Sequence, residues 1–294
     1  MRQNTASAQA AVRVDVLFPG IARRAAEAAA EARARIEARP ELPETQLPAQ
    51  LPLWPCNVRA MPNDICRSAI FTVRNCRVPR SSIQNKPIFV VGDGMITYTG
   101  IELRAEDDEL VWQQFLDIGK EHLIGMWFSF TPYQICVALG WPTNGAYYRK
   151  VHDCLLRLKA TAIAVENKAA GKGKAISMVA GYDWDVNEKG KRTNCRLQIS
   201  PGMEKLFAGR QYTHLEWIAY RDLIPTARRL YDYAASHSRP YPLKLATVRM
   251  MCDSDSMVLK RWRQQVKEAC TILTAAGLVK RAYVSENDLV HFER

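Results

Sequence analysis

The feature that most constrains the fold is a predicted short helix, tight turn and long helix, followed by a hairpin, in the middle of the chain. Thr131 and Pro132 indicate where the short helix begins, because threonine caps a helix N-terminus and proline is tolerated in the first turn. Gly140 ends this helix, and the long helix is predicted over residues 146–159. Strands are predicted at 161–166, 175–180 and 194–199. This order predicts a winged helix-turn-helix unit.

The same order recurs near the C-terminus, where a short helix is predicted over 243–252, a long helix over 257–276 and a hairpin over 278–292. The apolar positions of the two long helices follow the same steps of four, four and three residues, 115 residues apart. The pairs are Tyr147 with Trp262, Val151 with Val266, Leu155 with Cys270, and Leu158 with Leu273. Any amphipathic helix shows such steps, but the shared neighbouring elements indicate a duplicated unit.

These elements predict an α+β fold with two tandem winged-helix (helix-turn-helix) domains, preceded by a helical or disordered N-terminal extension. The extension covers residues 1–50, where an Ala-, Glu- and Arg-rich helix over 19–38 leads into a proline-rich linker. The first winged-helix domain is predicted over 51–208 and the second over 209–294. Within the first, residues 63–74 are predicted to form a short helix.

Charge favours an anionic partner for this chain. Its 294 residues include 41 Lys and Arg against 30 Asp and Glu, which gives a net charge of +11. Residues 1–50 contain seven basic and six acidic side chains, so nearly all of the excess lies in the predicted winged-helix region. Nucleic acid and an acidic membrane surface both match such a charge.

The sequence indicates neither a membrane protein nor a secreted one. It has no run of about 18 apolar residues, and its N-terminus lacks the apolar region of a secretory signal. The eight cysteines are dispersed without a CxxC pair, which favours free thiols in a reducing compartment. We therefore expect a cytoplasmic protein with no membrane partner.

The second long helix has the pattern of a base-reading surface. Opposite its Trp262 and Val266 stripe lie Lys260, Arg263, Gln264 and Lys267. In the major groove, arginine and lysine donate to guanine, and an amide pairs with adenine. These four residues are the candidates for base contacts, and Arg261 suits a phosphate. An ordinary solvated helix face would show the same residues, and the helix-turn-helix context is what favours DNA.

Phosphate contacts are predicted from the first long helix and from both hairpins. Besides Arg261, the candidates are Arg149, Lys150, Lys168, Lys172, Lys174, Lys280 and Arg281. The lysines at 168–174 lie in or beside a Gly-rich hairpin tip, which could follow phosphates across a groove or simply aid solubility. Leu156 interrupts the polar face of the first long helix. We therefore expect that helix to serve packing or dimerisation as much as base reading.

Catalytic signatures are absent from the sequence. Gly171-Lys172-Gly173-Lys174 lacks the spacing of a phosphate-binding loop. The five histidines are isolated, whereas a nicking relaxase needs a metal-binding histidine pair. The expectation is a protein that is not an enzyme and that has no cofactor, no catalytic residues and no metal site.

Several segments, taken as an ordered set, resemble the TrfA-type plasmid replication initiators. They are Leu53-Trp54-Pro55, Val58-Arg59-Ala60-Met61-Pro62-Asn63, Arg67-Ser68-Ala69-Ile70-Phe71, Tyr98-Thr99-Gly100, Leu215-Glu216-Trp217, Tyr233-Ala234-Ala235-Ser236-His237 and Asp288-Leu289-Val290-His291. The resemblance runs from about Leu51 to the C-terminus and leaves out the N-terminal 50 residues.

The resemblance implies an initiator that binds repeated double-stranded DNA sites (iterons) at a plasmid origin and helps open an AT-rich segment. It also implies recruitment of the host replicative helicase and sliding clamp, and a homodimer in equilibrium with a monomer. Ile70 and Phe71 are the positional match to the family's clamp-binding peptide, and Gln50-Leu51-Pro52-Leu53-Trp54 is a second peptide of suitable shape. Core packing is the alternative interpretation of both. A winged-helix transcriptional regulator is the alternative function.

Overall fold

The computed structural model describes residues 50–92, 95–167, 172–188, 190 and 192–294. The predicted N-terminal extension lies outside the described residues except for Gln50. All described residues belong to one compact unit. The division into winged-helix domains at residues 208 and 209 stays a prediction.

Eight α-helices and fourteen strands are described in these parts of the chain. The helices are α1 (Asn63–Cys66), α2 (Asp108–Gly119), α3 (Pro132–Leu139), α4 (Gly145–Lys159), α5 (Trp217–Arg221), α6 (Pro225–Ala235), α7 (Leu245–Met251) and α8 (Leu259–Ala275), with a 3₁₀-helix at Met203–Arg210. The strands are β1 (Val58–Pro62), β2 (Phe71–Thr72), β3 (Ser82–Ile88), β4 (Met95–Ile101), β5 (Leu103–Arg104), β6 (Trp127–Phe130), β7 (Ala162–Asn167), β8 (Lys172–Ile176), β9 (Val179–Val186), β10 (Arg192–Ile199), β11 (Tyr212–Glu216), β12 (Leu243–Lys244), β13 (Arg281–Val284) and β14 (Leu289–Glu293).

The strands form small separate sheets between the helices. Their orders are β1-β11, β6-β10-β9, β12-β14-β13, β2-β5 and β3-β4-β7-β8, and every pair except β2-β5 is antiparallel. In the first of these, Val58 pairs with Glu216, so strands far apart in sequence lie side by side. The chain is therefore a mixed α+β protein, as its sequence predicted.

The predicted helix boundaries around residue 140 agree with the structure. The Thr131 hydroxyl accepts a hydrogen bond from the backbone N–H of Gln134, and the backbone N–H of Thr131 donates to the Gln134 side chain, which makes a full capping box at the start of α3. Gly140 ends α3 in the left-handed region with φ of 68°. The Asn144 side chain then accepts from the first backbone N–H groups of α4. Local chemistry thus fixes both ends of the turn between α3 and α4.

The helix predicted over 63–74 was wrong beyond Cys66. Backbone hydrogen bonds join Ala69 to Phe89 and Val91 to Arg67, which draws the chain into an extended path. β2 then pairs in parallel with β5. Contacts distant in sequence therefore replace a helix that local propensity favoured.

Helix α2 lies at the centre of the core and packs against α3, α4 and β1. Leu110, Trp112 and Phe115 are buried, and so are the polar side chains of Glu109 and Gln113. A helix buried on all sides needs partners for its polar groups. Those partners come from α5 and α6.

Arg229 of α6 is fully buried and joins the two halves of the described chain. Its guanidinium donates to Glu109 at 2.8 Å and to Asp232 at 2.6 Å. It also donates to the carbonyl oxygens of Cys66 at 3.0 Å and Ser68 at 2.6 Å. Burial raises the pKa of Asp232 well above its usual range, and the nearby charge of Glu109 raises it further.

Gly100 closes β4 against the end of α4. Its φ is +150°, and an added Cβ would lie 3.0 Å from the carbonyl oxygen of Ala160 and 3.2 Å from the Cα of Thr161. Since both are backbone atoms, we expect Gly100→Ala to lower the free energy of unfolding by about 1–3 kcal/mol in urea titrations. The control is Gly145→Ala, where an added Cβ meets no atom within 4 Å. Equal losses in the two variants would contradict the steric argument.

Candidate DNA-binding surface

Helix α8 is held in place by its apolar face. Trp262, Val266, Cys270 and Leu273 are all buried, as their spacing predicted. The indole Nε1 of Trp262 donates to the carbonyl oxygen of Leu245 at 3.1 Å and so fixes the start of α8 on α7. The opposite face of α8 therefore points away from the core.

Four of the candidate DNA contacts lie on this outward face: Lys260, Arg261, Gln264 and Lys267 are all exposed. The helix contains four basic residues and one acidic residue, Glu268. Long donors spaced along one exposed helix face can reach base edges and phosphates in a major groove. We call this set of four side chains the α8 face.

Arg263 differs from its neighbours because it turns towards the C-terminal hairpin. Its guanidinium donates to the carbonyl oxygen of Ser285 at 3.0 Å and lies 3.2 Å from an Asp288 carboxylate oxygen. Its side chain is 33% exposed. The structure thus places Arg263 as a tie between α8 and the turn of the hairpin, at the edge of the α8 face.

Two further phosphate candidates lie on the hairpin itself. Lys280 and Arg281 are exposed where the chain enters β13. Arg281 stacks over the Tyr283 ring at 4.5 Å and lies 4.0 Å from Glu293. An exposed pair at that distance contributes little, so Arg281 remains available to an anion.

Helix α4 presents fewer free cations. Arg149 is exposed, whereas the Lys150 ammonium lies 4.7 Å from the centre of the Trp141 ring, a cation–π contact. Leu156 is 43% exposed on the same helix. The outward face of α4 is therefore more apolar than that of α8, as the sequence indicated.

The basic hairpin after α4 is described in part. β7 pairs with β8, with Ile163 opposite Ile176 at one end and Asn167 opposite Lys172 at the other. β7 also pairs with β4. The tip at 168–171 lies outside the described residues, and with it the candidate Lys168. Lys172 and Lys174 lie on β8. The predicted wing is thus anchored in a four-stranded sheet.

Arg157 on α4 points inward and is only 14% exposed. Its guanidinium lies 2.8 Å from the buried carboxylate of Asp108, which Arg80 contacts at 2.6 Å from another side. Burial, followed by the neighbouring Asp107, raises the pKa of Asp108 to about 6 against the pull of the two arginines. Burial alone would also raise the pKa of Asp107, but Arg80 lowers it overall. This cluster fixes α4 on α2.

The same cluster contains a group with metal-ligand chemistry in the described part of the chain. Asp107, Asp108 and the Cys154 thiol bring their ligand atoms within 4.8 Å of one another. Arg80 and Arg157 already neutralise the two carboxylates. Burial raises the pKa of the Cys154 thiol, which further disfavours the thiolate that a metal requires.

The described part of the protein contains a cavity of about 780 Å³ that the sequence did not predict. It lies between α4 and the β9-β10 hairpin and is lined by Tyr148, His152, Trp184 and Arg192 among others. The His152 ring packs edge-on against Trp184 with centres 4.6 Å apart. Burial lowers the pKa of His152, and the positive charge of Arg192 lowers it further. The one local signal for this cavity was the aromatic pair Tyr182 and Trp184 on β9, and such a pair is equally typical of core packing.

The family model and a curated relative both indicate one family. The model of the TrfA protein family matches residues 20–294. The chain belongs to the TrfA family. This confirms the resemblance found in the sequence, and it extends the match into residues 20–50, which the sequence segments had left out.

This member of the TrfA family has a relative described as plasmid replication initiator protein TrfA of Escherichia coli. The two are 51% identical over 243 residues, which are 82% of this chain and 63% of the relative. The chain thus spans less than two thirds of the length of the curated relative.

Two solved structures were compared with this TrfA family member. A crystal structure of selenomethionine derivatives of domains 2 and 3 of RctB has a TM-score of 0.51 and 12% identity, over 72% of this chain and 85% of that one. A structure of RctB domains 2–3 has a TM-score of 0.47 and 12% identity, over 74% of this chain and 92% of that one. At this identity the first likeness concerns the fold alone.

The candidate clamp contacts Ile70 and Phe71 lie in the core of this family member. Ile70 is 3% exposed and Phe71 is 0% exposed, with the Phe71 ring 5.8 Å from that of Trp112. In the folded chain neither side chain can reach a partner, because both are buried, and Phe71 packs against β5 and α2. In the second peptide, Leu51 and Trp54 are buried while Leu53 is 71% exposed.

All eight cysteines are free, and six of them are buried. Among the described helices, none is long and apolar enough to cross a membrane.

Proposed function

We propose that this chain is a plasmid replication initiator that binds repeated double-stranded sites (iterons) at an origin. The observation that carries the proposal is the α8 face, an exposed row of long donors on a helix whose other face is locked into the core. Membership of the TrfA family supports it. So does the 51% identity to a relative named as a plasmid replication initiator.

In this proposal two winged-helix units contact the DNA. The first consists of α3, α4 and the β7-β8 hairpin, and the second of α7, α8 and the β13-β14 hairpin. Lys260, Gln264 and Lys267 would reach base edges, with Arg263 steadying the hairpin beside them. Arg261, Arg149, Lys280 and Arg281 would contact phosphates. Cations on a recognition helix and on the hairpin that follows it suit a backbone that carries one negative charge about every 1.7 Å.

The proposal includes partners that act after DNA binding. The initiator helps open the origin, recruits the host replicative helicase and sliding clamp, and exchanges between a homodimer and a DNA-binding monomer in the cytoplasm. For the clamp, Leu53 is the exposed apolar side chain of the Gln50–Trp54 peptide. Leu53→Ser should weaken capture of purified clamp without changing origin DNA binding. If the wild type and the Leu53→Ser variant captured the clamp equally well, this peptide would not be the clamp contact.

The test of the central function is nuclease footprinting on the origin region of the encoding replicon, together with maintenance of a minimal plasmid. We expect protection of direct repeats of roughly 17–22 base pairs, since two groove-reading helices on one face span about two turns of DNA. Deleting the repeats should abolish plasmid maintenance. Protection of one operator, with normal maintenance after its deletion, would favour a transcriptional regulator and overturn the proposal.

A further inference from the structure

Three consecutive apolar side chains are exposed where the chain enters α8. Met257 is 87% exposed, Val258 is 61% exposed and Leu259 is 53% exposed. Single exposed apolar residues are common, but contiguous ones mark contact surfaces. We call Met257, Val258 and Leu259 the apolar tip.

The turn that carries the apolar tip is tied to the rest of the protein. The backbone N–H of Ser254 donates to the carbonyl oxygen of Arg249 at 3.2 Å, and the side chain of Asp253 accepts from Arg74 at 2.7 Å. The backbone N–H of Trp262 donates to the carbonyl oxygen of Val258 at 3.0 Å and closes the first turn of the helix. The apolar tip is therefore held outward by fixed backbone on both sides.

The position of the apolar tip follows from the helix that it leads. It directly precedes Lys260 and Arg261, and Gln264 follows one turn later. In helix-turn-helix proteins, the N-terminal residues of the second helix contact base edges. The apolar tip therefore occupies the end of α8 that enters a groove first.

The charge around the apolar tip selects its occupant. Residues 239–294 contain ten basic and six acidic side chains. Of the two acids that precede the apolar tip, Asp253 is paired with Arg74 and Asp255 accepts from the backbone N–H of Asn75. If a second copy of this chain packed here by two-fold symmetry, the cations of its α8 face would lie close to those of the first copy and repel them. Duplex DNA supplies both a polyanion and an apolar target, because thymine carries a C5-methyl group in the major groove.

We propose that Met257 and Val258 contact thymine methyl groups and so set a preference for A·T pairs at one end of each bound site. This inference rests on the proposed DNA binding by α8. It assigns a specificity role to side chains that make no hydrogen bonds with bases.

The test uses the full chain and two 30-base-pair duplexes that carry one direct repeat of the encoding replicon's origin. One duplex has thymine, and the other has deoxyuridine at every thymine of the repeat, which removes the methyl groups and keeps every base-pair hydrogen bond. Fluorescence anisotropy should show that wild type binds the deoxyuridine duplex more weakly, by roughly 4-fold for each thymine methyl group that Met257 or Val258 would bury. The Met257→Ala, Val258→Ala double variant should bind both duplexes equally.

The control is Ile218→Ala, which truncates a side chain that is 64% exposed on α5. It should keep the full difference between the two duplexes. Equal binding of both duplexes by wild type would overturn the inference and leave the proposed function intact. A double variant that still discriminates, or one whose sedimentation shows that a dimer has dissociated, would also overturn it. Failure of wild type to prefer the thymine repeat over random DNA would instead count against the proposed function.

Discussion

The Arg229→Met variant is expected to unfold with a free energy about 3–5 kcal/mol lower than that of the wild type. Methionine replaces the apolar part of the side chain and removes its charge and donors. Glu109 and Asp232, both fully buried, would lose their shared partner. The carbonyl oxygens of Cys66 and Ser68 would lose a donor as well. Leaving a buried charge unpaired costs far more than the pair itself contributes.

Urea unfolding at neutral pH, followed by circular dichroism, measures this loss. The matched control is Arg281→Met, since Arg281 is 63% exposed and 4.0 Å from its acidic partner. That variant should lose at most about 1 kcal/mol. The loss in Arg229→Met should also shrink as the pH falls, because protonation of Asp232, whose pKa is raised by burial, removes a buried negative charge. A loss as small as that of Arg281→Met would show that the buried network does not stabilise the fold.

The second large effect is expected on DNA affinity, in the triple variant Lys260→Gln, Arg261→Gln, Lys267→Gln. All three side chains are exposed on the α8 face. Of the three, Arg261 is proposed to contact a phosphate, and each such contact contributes about 0.9 to the slope of log affinity against log salt concentration, while Lys260 and Lys267 would lose contacts with base edges. We expect affinity for a repeat duplex to fall by about 10- to 100-fold near physiological salt, with a shallower salt slope. Anisotropy titrations at several salt concentrations measure both quantities.

A second triple variant separates local contacts from net charge. Arg77→Gln, Lys86→Gln, Lys205→Gln removes the same charge from exposed positions outside α8. It should bind the repeat duplex nearly as well as the wild type does, with a small change in slope. If both triple variants bound the duplex equally weakly, total charge rather than the α8 face would explain binding.

The parts of the candidate surface that were predicted from sequence depend on local signals. Thr131, Gly140 and Asn144 define helix ends through bonds to residues within four positions along the chain. The four-four-three spacing from Trp262 to Leu273 identified the buried face of α8. Capping and periodicity act within one or two turns, so a sequence contains all that they need.

What the sequence could not show depends on contacts between distant segments. Arg157 and Arg263 look like free cations on their helices, yet the first pairs with Asp108 on α2 and the second with the hairpin turn. Ile70 and Phe71 resembled a docking peptide, but both are buried, and Phe71 packs against β5 and α2. In each case the partner lies 20 or more residues away, where no periodic pattern reports it.

The pairing of β1 with β11 also has a consequence for how the protein is made. Val58 lies opposite Glu216, so the ribosome must add more than 150 residues after β1 before its partner strand exists. At typical synthesis rates that interval is on the order of 10–30 s. During this time β1 has an unpaired edge, of the kind that can join the wrong strand. Yield in the cell should therefore depend on chaperones that shield this nascent edge until translation reaches residue 216.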